Sequence, residues 1–167
     1  MAIPPLSLKG RALRLLSGRE HSRAELERKL AAHAQASGEL AGVLDDLQAK
    51  GFIDAGRVVE SVIHRRASRL GASRIRQELQ QKGLEPALVR EAVAGLQATE
   101  LERARSVWRK KFGAGHATQA EPRQPSSPEE RARQMRFLAA RGFDGETIRR
   151  VVSGADDDDM PGGAVAE

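Results

Sequence analysis

Apolar residues recur along this chain at three- and four-residue spacing almost from end to end. That spacing marks helices with one buried face, and no stretch alternates as a strand would. The pattern predicts a first helix over 8–17, closed by Ser17 and Gly18. Ser22-Arg-Ala-Glu25 reads as a capping box, in which the serine oxygen accepts from a free amide while the glutamate reaches back. It opens a helix with Leu26 and Leu30 on one face. Leu40, Val43, Leu44 and Leu47 place a third helix over about 38–50, stopped by Gly51.

A second group begins at Asp54, the expected N-cap of a helix whose stripe is Val59, Val62, Ile63 and Leu70 and whose end is Gly71. Ser73 is expected to cap the next helix, with Ile75 and Leu79 facing inward and Gly83 permitting a left-handed turn. Pro86 suits the first turn of the helix that carries Leu88, Val89, Ala92, Val93 and Leu96. A third group opens near Thr99, with Leu101, Ala104, Trp108 and Phe112 in register. Gly113–Ser126 is small, polar and proline-bearing, so a mobile loop is expected there. Ser127-Pro-Glu-Glu130 restarts a helix, Met135 and Leu138 point inward, and Gly142 stops it. A last helix of about 145–153 carries Ile148, Val151 and Val152, and residues 154–167 read as a disordered acidic tail.

Two of these turns repeat one another. Aligned on Gly83 and Gly142, Leu79 meets Leu138, Lys82 meets Arg141, Leu84 meets Phe143, Arg90 meets Arg149 and Val93 meets Val152. A recurring pattern of helix, basic residue, glycine, large apolar residue and helix marks a repeat protein. The expected fold is therefore all-α, with three-helix repeats at 8–54, 55–98 and 99–153. Triplets this small bury little surface alone, so stacking into an elongated, curved array is expected. Repeat proteins of this kind are usually binding surfaces.

Composition narrows the function classes. Only four Phe, one Trp and no Tyr serve a chain that is 40% hydrophobic, which suits small helix clusters better than a deep pocket. Absence of cysteine excludes disulfides, thiolate-bound zinc and thiol chemistry. No apolar run approaches the roughly 20 residues of a spanning helix, and the N-terminus lacks a signal-peptide layout. A cytoplasmic protein that avoids membranes is expected. His21, His33, His64 and His116 are scattered without metal-ligand spacing and read as surface or boundary residues. Asp156–Asp159 lacks the glycine turn of a calcium loop. No nucleophile elbow, phosphate loop or dinucleotide fingerprint is present, so neither an enzyme nor a cofactor is expected.

Charge placement carries the remaining signal. Residues 57–111 hold 13 basic against 6 acidic side chains, whereas residues 1–56 hold 8 and 7, and residues 112–167 hold 7 and 10. Arg65, Arg66 and Arg69 fall on adjoining faces of one expected helix, Arg74 and Arg76 open the next, Lys82 closes it, and Arg57 joins at the start. This set suits phosphates or carboxylates, where arginine offers paired donors. No aromatic residue interleaves it, so base stacking is not expected. Trp108 lies on a core stripe, and Glu78 is placed to pair with an arginine such as Arg74. The acidic tail is positioned in sequence to shield the basic repeat.

The stretch Arg74-Ile-Arg-Gln-Glu-Leu-Gln-Gln-Lys-Gly-Leu84, preceded by Leu70-Gly71, resembles the RecX family of RecA regulators. So do Leu-Gln-Ala-Lys-Gly-Phe-Ile-Asp54, Trp108-Arg-Lys-Lys-Phe112, and Arg-Phe-Leu-Ala-Ala-Arg-Gly-Phe143 with Ile148-Arg-Arg-Val-Val152. The likeness runs in order over about residues 8–153. It implies three tandem three-helix repeats in a monomer that binds the RecA–DNA filament and restrains ATPase, strand exchange and coprotease activity. It also implies weak, sequence-independent affinity for DNA. A helical DNA-binding protein of helix-turn-helix type, acting without RecA, is the competing reading. The chain departs from the family in having Val58 and Val59 where an aromatic residue is common, and Ala72 where proline commonly follows the glycine.

Overall fold

The computed structural model describes residues 6–113 and 127–154. Among them are nine α-helices and no strand: α1 (Leu8–Gly18), α2 (Arg23–Leu30), α3 (Glu39–Ala49), α4 (Ala55–Arg66), α5 (Ala72–Gln81), α6 (Pro86–Gln97), α7 (Glu100–Phe112), α8 (Pro128–Ala139) and α9 (Gly145–Ser153). A short 3₁₀ turn, Ala31–His33, extends α2. The proposed loop beyond Gly113 and the acidic tail beyond Gly154 lie outside the described residues.

Local chemistry sets the helix starts. Ser22 Oγ accepts from the Glu25 amide while Glu25 reaches back to the Ser22 amide, completing the capping box. Asp54 caps α4 through the Arg57 amide, and Ser127 caps α8 through the Glu130 amide.

Three helix ends share one geometry. Gly51, Gly83 and Gly142 all have positive φ, at 74°, 71° and 82°. At each, the glycine amide bonds back three residues, to Gln48, Gln80 and Ala139, and the following apolar residue bonds back five, to Leu47, Leu79 and Leu138. This Schellman arrangement satisfies two carbonyls that the ending helix would otherwise leave free, and its left-handed residue favours glycine. The residues after Gly83 and Gly142, Leu84 and Phe143, are buried, whereas Phe52 after Gly51 stays exposed.

The chain forms two compact units. Of the described residues, those up to Ala67 together with Ile75–Leu96 make the first, and Ser68–Arg74 with the residues from Gln97 onward make the second. In the first, Leu8, Ala12, Leu26, Leu30, Leu44, Leu47 and Ile53 form one apolar cluster. Val58, Val59, Val62, Ile75, Leu79, Val89, Val93 and Leu96 are buried as well. In the second, Ala104, Val107, Trp108, Leu138, Phe143, Ile148, Val151 and Val152 cluster. Trp108 belongs to this core, and its indole N–H donates to Oε1 of Gln134, itself 1% exposed, at 2.8 Å.

Four details differ from the sequence reading. The helix expected to run to Gly71 ends at Arg66, because the next residues serve the second unit: the Leu70 carbonyl accepts from Arg103 Nη1 at 2.7 Å. Val58, not Ile63, completes the buried stripe of α4. Ser73 is not a cap, since α5 already begins at Ala72. Its free amides go to distant groups instead: Gly71 N–H to the Arg141 carbonyl at 2.9 Å, Ala72 N–H to the Glu100 carboxylate at 3.2 Å, and Ser73 N–H to the Gly142 carbonyl at 3.2 Å. Finally, His21 is 4% exposed rather than superficial; its Nδ1 lies 3.0 Å from the Arg19 carbonyl oxygen, and burial lowers its pKa.

The contact at α5 brings two backbones together. A Cβ built on Gly71 would fall 2.3 Å from the Gly142 carbonyl oxygen, and one on Gly142 would fall 2.6 Å from the Arg74 amide nitrogen. A related contact occurs in the first unit. There the Lys82 carbonyl accepts from the Ser22 hydroxyl, and a Cβ on Gly83 would fall 2.7 Å from Ala24 Cβ. In both places the glycine turn that ends a repeat's middle helix seats on the first residues of the preceding repeat's middle helix.

Gly71→Ala is expected to destabilise the protein by about 3 kcal/mol or more, because backbone on both sides must move. Gly95→Ala meets nothing within 4 Å in the interior of α6 and is expected to stabilise it by about 0.5–1 kcal/mol. Urea unfolding of both variants checks the pair.

Candidate functional site

The seven basic residues singled out from sequence separate into those engaged by the fold and those left to solvent. Lys82 is buried, with 9% of its surface exposed, and its Nζ donates to Glu25 Oε1 at 2.9 Å. Glu25 also receives Arg19 Nη2 at 2.9 Å and the Ser22 amide at 2.9 Å. Lys82 is thus turned inward, and its assignment as an outward contact gives way to a structural role. The reason is positional: it stands just before the Gly83 turn, where its backbone and side chain both meet the start of α2.

Arg57 is exposed but committed. Its guanidinium donates to Glu20 at 3.0 Å and to the carbonyls of Gly51 and Phe52 at 2.8 and 3.2 Å, pinning the turn between α3 and α4. Arg66 pairs with Glu78 at 2.9 Å, so Glu78 meets an arginine of α4. Arg65 is exposed and bonds its own helix, through the Ser61 carbonyl at 3.0 Å. Arg74, also exposed, directs Nε to the Ala140 carbonyl at 3.2 Å. Arg69 and Arg76 are exposed with no ion pair among the described residues. Arg69 lies beyond the end of α4 and belongs with the second unit, whereas Arg65, Arg66 and Arg76 belong with the first. Arg69 therefore falls outside the helix on whose adjoining faces all three were expected.

Element boundaries also redistribute the basic excess. Five of the 13 basic residues in 57–111, namely Arg103, Arg105, Arg109, Lys110 and Lys111, lie on α7 in the third repeat. Arg103 is partly buried against the Leu70 carbonyl and over the Phe143 ring. Arg109, Lys110 and Lys111 are exposed in the last turn of α7 without acidic partners among the described residues. Counting charges in sequence windows hid this, because the window crossed from one repeat to the next.

Helices in tandem groups of three, small cores, and arginines and lysines left without ion pairs among the described residues define a helical-repeat protein. The chain matches the family models of the first, second and third three-helix domains of RecX over residues 9–47, 56–93 and 98–152. It is 52% identical over 153 residues to the Regulatory protein RecX of Leptothrix cholodnii, covering 92% of each chain. It is 48% identical over 158 residues to that of Ralstonia nicotianae, covering 93% of this chain and 94% of the other. Among solved structures, a regulatory protein RecX superposes with a TM-score of 0.67 at 20% identity, over 89% of this chain and 72% of that one. The RecX of Lactobacillus salivarius does so with a TM-score of 0.67 at 17% identity, over 88% and 93%. The chain belongs to the RecX family. Its relatives are named as regulatory proteins, and no described helix is long and apolar enough to cross a membrane.

The Glu25 node makes a pH prediction. Burial pushes the Glu25 pKa up, but hydrogen bonds from Arg19, the Ser22 amide and Lys82 outweigh it and bring the value from 4.5 down to about 2. A carboxyl held below its unfolded pKa stabilises the fold fully above about pH 4.5, and that stability fades as pH falls towards about 2. Glu25→Gln is expected to lose about 1–3 kcal/mol at pH 7, and to show a shallower stability loss between pH 4.5 and 2. Chemical denaturation across that range checks both.

Proposed function

We propose that this protein binds RecA–DNA filaments and restrains RecA's ATPase, strand exchange and coprotease activities without catalysing a reaction itself. Membership of the RecX family across all three helical domains carries this reading. The surface supports it: Arg69 and Arg76 are exposed cations without ion-pair partners among the described residues, and Arg65 keeps most of its guanidinium free. Such groups suit the phosphates of a nucleoprotein filament or acidic side chains on its protein.

Mechanistically, a helical body seated between filament turns opposes the subunit rearrangement that accompanies each ATP cycle, and favours subunit loss. The contacts are electrostatic and therefore weaken with salt. Arg57, Arg66, Arg74 and Lys82 contribute by holding the presenting helices in place. The protein acts as a monomer, and its affinity for bare DNA is weak beside its affinity for the filament.

Substoichiometric amounts are expected to slow RecA's ATPase on single-stranded DNA. The triple variant R65E/R69E/R76E is expected to need at least about ten times more protein for the same inhibition, with an unchanged circular-dichroism spectrum and melting temperature. Inhibition equal to that of the unmodified protein removes these arginines from the contact surface. Tight binding to one duplex sequence in the absence of RecA favours instead the helix-turn-helix reading.

A further inference from the structure

The second unit carries an alternation of cations and aromatic rings that the basic residues of the second repeat lack. The Arg141 guanidinium lies 3.5 Å from the centroid of the Phe137 ring. Phe137 meets Phe112 edge-on at 5.1 Å between centroids, and the guanidinium of Arg133 lies over Phe112, 5.9 Å from its centroid. Arg141, Phe137, Phe112 and Arg133 thus form a ladder across the end of α7 and the length of α8. Phe112, Phe137 and Arg141 are half-buried, and Arg133 is exposed.

Unpaired positive charge surrounds it. Arg109, Lys110 and Lys111 occupy the turn of α7 that ends at Phe112, and Arg136 precedes Phe137. All four are exposed and lack acidic partners among the described residues. Glu130 lies 4.0 Å from Arg133. Cations in the last turn of a helix complement its dipole, which accounts for the sign of the α7 charges. The same holds for Arg136 in the last turn of α8, but not for two guanidinium groups placed over aromatic rings. Arg141 Nη1 also donates to the Phe137 carbonyl at 3.1 Å, which holds its guanidinium over that ring.

Guanidinium planes backed by aromatic rings offer flat, polarisable faces on which unstacked bases rest, while flexible lysines and arginines at the edge meet phosphates. A duplex keeps its base faces covered and would use only the charges. We infer that the α7–α8 face of the third repeat is a sequence-independent site for single-stranded nucleic acid, with bases stacked on Arg133 and Arg141 and phosphates on Arg109, Lys110, Lys111 and Arg136. This site is distinct from the second-repeat arginines and does not require RecA, so its failure leaves the filament reading standing.

The test uses the full chain and a fluorescently labelled oligothymidylate, with a duplex of equal length as comparison and anisotropy as readout at several salt concentrations. The unmodified protein is expected to prefer the single strand. K110E/K111E is expected to lose at least about ten-fold in affinity for both and to flatten the salt dependence by about two counterions. R133K/R141K keeps the charge but removes the planes; it is expected to lose several-fold on the single strand alone, with the salt slope unchanged. Where R141K disturbs folding, R133K alone serves, because its side chain is exposed. Three results overturn the inference: no binding by the unmodified protein, wild-type affinity in K110E/K111E, or an R133K/R141K variant (or R133K alone) that binds single strand as the unmodified protein does or loses equally on single strand and duplex.

Discussion

At Gly71 and Gly142 two stretches of main chain touch, and hydrogen is the largest side chain either position admits. This contact settles what becomes of the α5 start. A helix begins with amides that no residue of the helix can accept, and α5 has no side-chain cap of its own to offer. Carbonyls of the Gly142 turn and the carboxylate of Glu100 take up three of them. A carboxylate at a helix start also faces the positive end of the helix dipole, so Glu100 tolerates its burial. The Gly142 turn in turn exists because α8 must stop and reverse before α9. One steric fact therefore fixes the end of α8, the start of α5 and the place of a buried acid.

Much of the architecture was legible in sequence because it follows from local rules. Leucine and valine spacing marks the buried stripes, Ser22, Asp54 and Ser127 mark helix starts, and glycine after a basic residue marks the reversals. The misreadings all arise where a distant partner overrides such a rule. Ser73 is a good cap by composition, but Gly142 reaches the helix first. A four-residue extension of α4 is allowed by its apolar spacing, yet Leu70 and Gly71 have their backbone groups claimed by Arg103 and Arg141. His21 is buried because the Arg19 carbonyl gives it a partner, which no spacing announces.

The candidate surface was less legible, and for a related reason. A sequence shows how many arginines a segment has but not which are already spent within the fold. Arg57, Arg66 and Lys82 each satisfy acidic or carbonyl partners brought close by folding, whereas Arg69 and Arg76 do not. Ion pairs on an exposed surface add little stability, so Arg66 with Glu78 costs the protein a contact group for a small gain. The buried group around Glu25 differs, since leaving any one of its charges unmatched would be expensive. Aromatic interleaving was invisible for another reason: Phe112 and Phe137 are 25 positions apart, and only the packing of α7 on α8 sets them edge to edge.

The seat of a glycine turn on the start of an earlier helix is built largely from main chain. Ser22 and Gly71 occupy comparable places in the two instances, as do Lys82 and Arg141, yet the carbonyl before the glycine accepts a bond in both. At Gly71 donor and acceptor are both main chain, so that joint places little demand on side-chain identity beyond the glycines, whereas the Gly83 joint also uses the Ser22 hydroxyl. Sequences can drift while the repeats stay assembled, which accords with solved relatives that keep this fold at 17–20% identity. The outward side chains are then free to change with the partner, because the joint that holds the helices never depended on them.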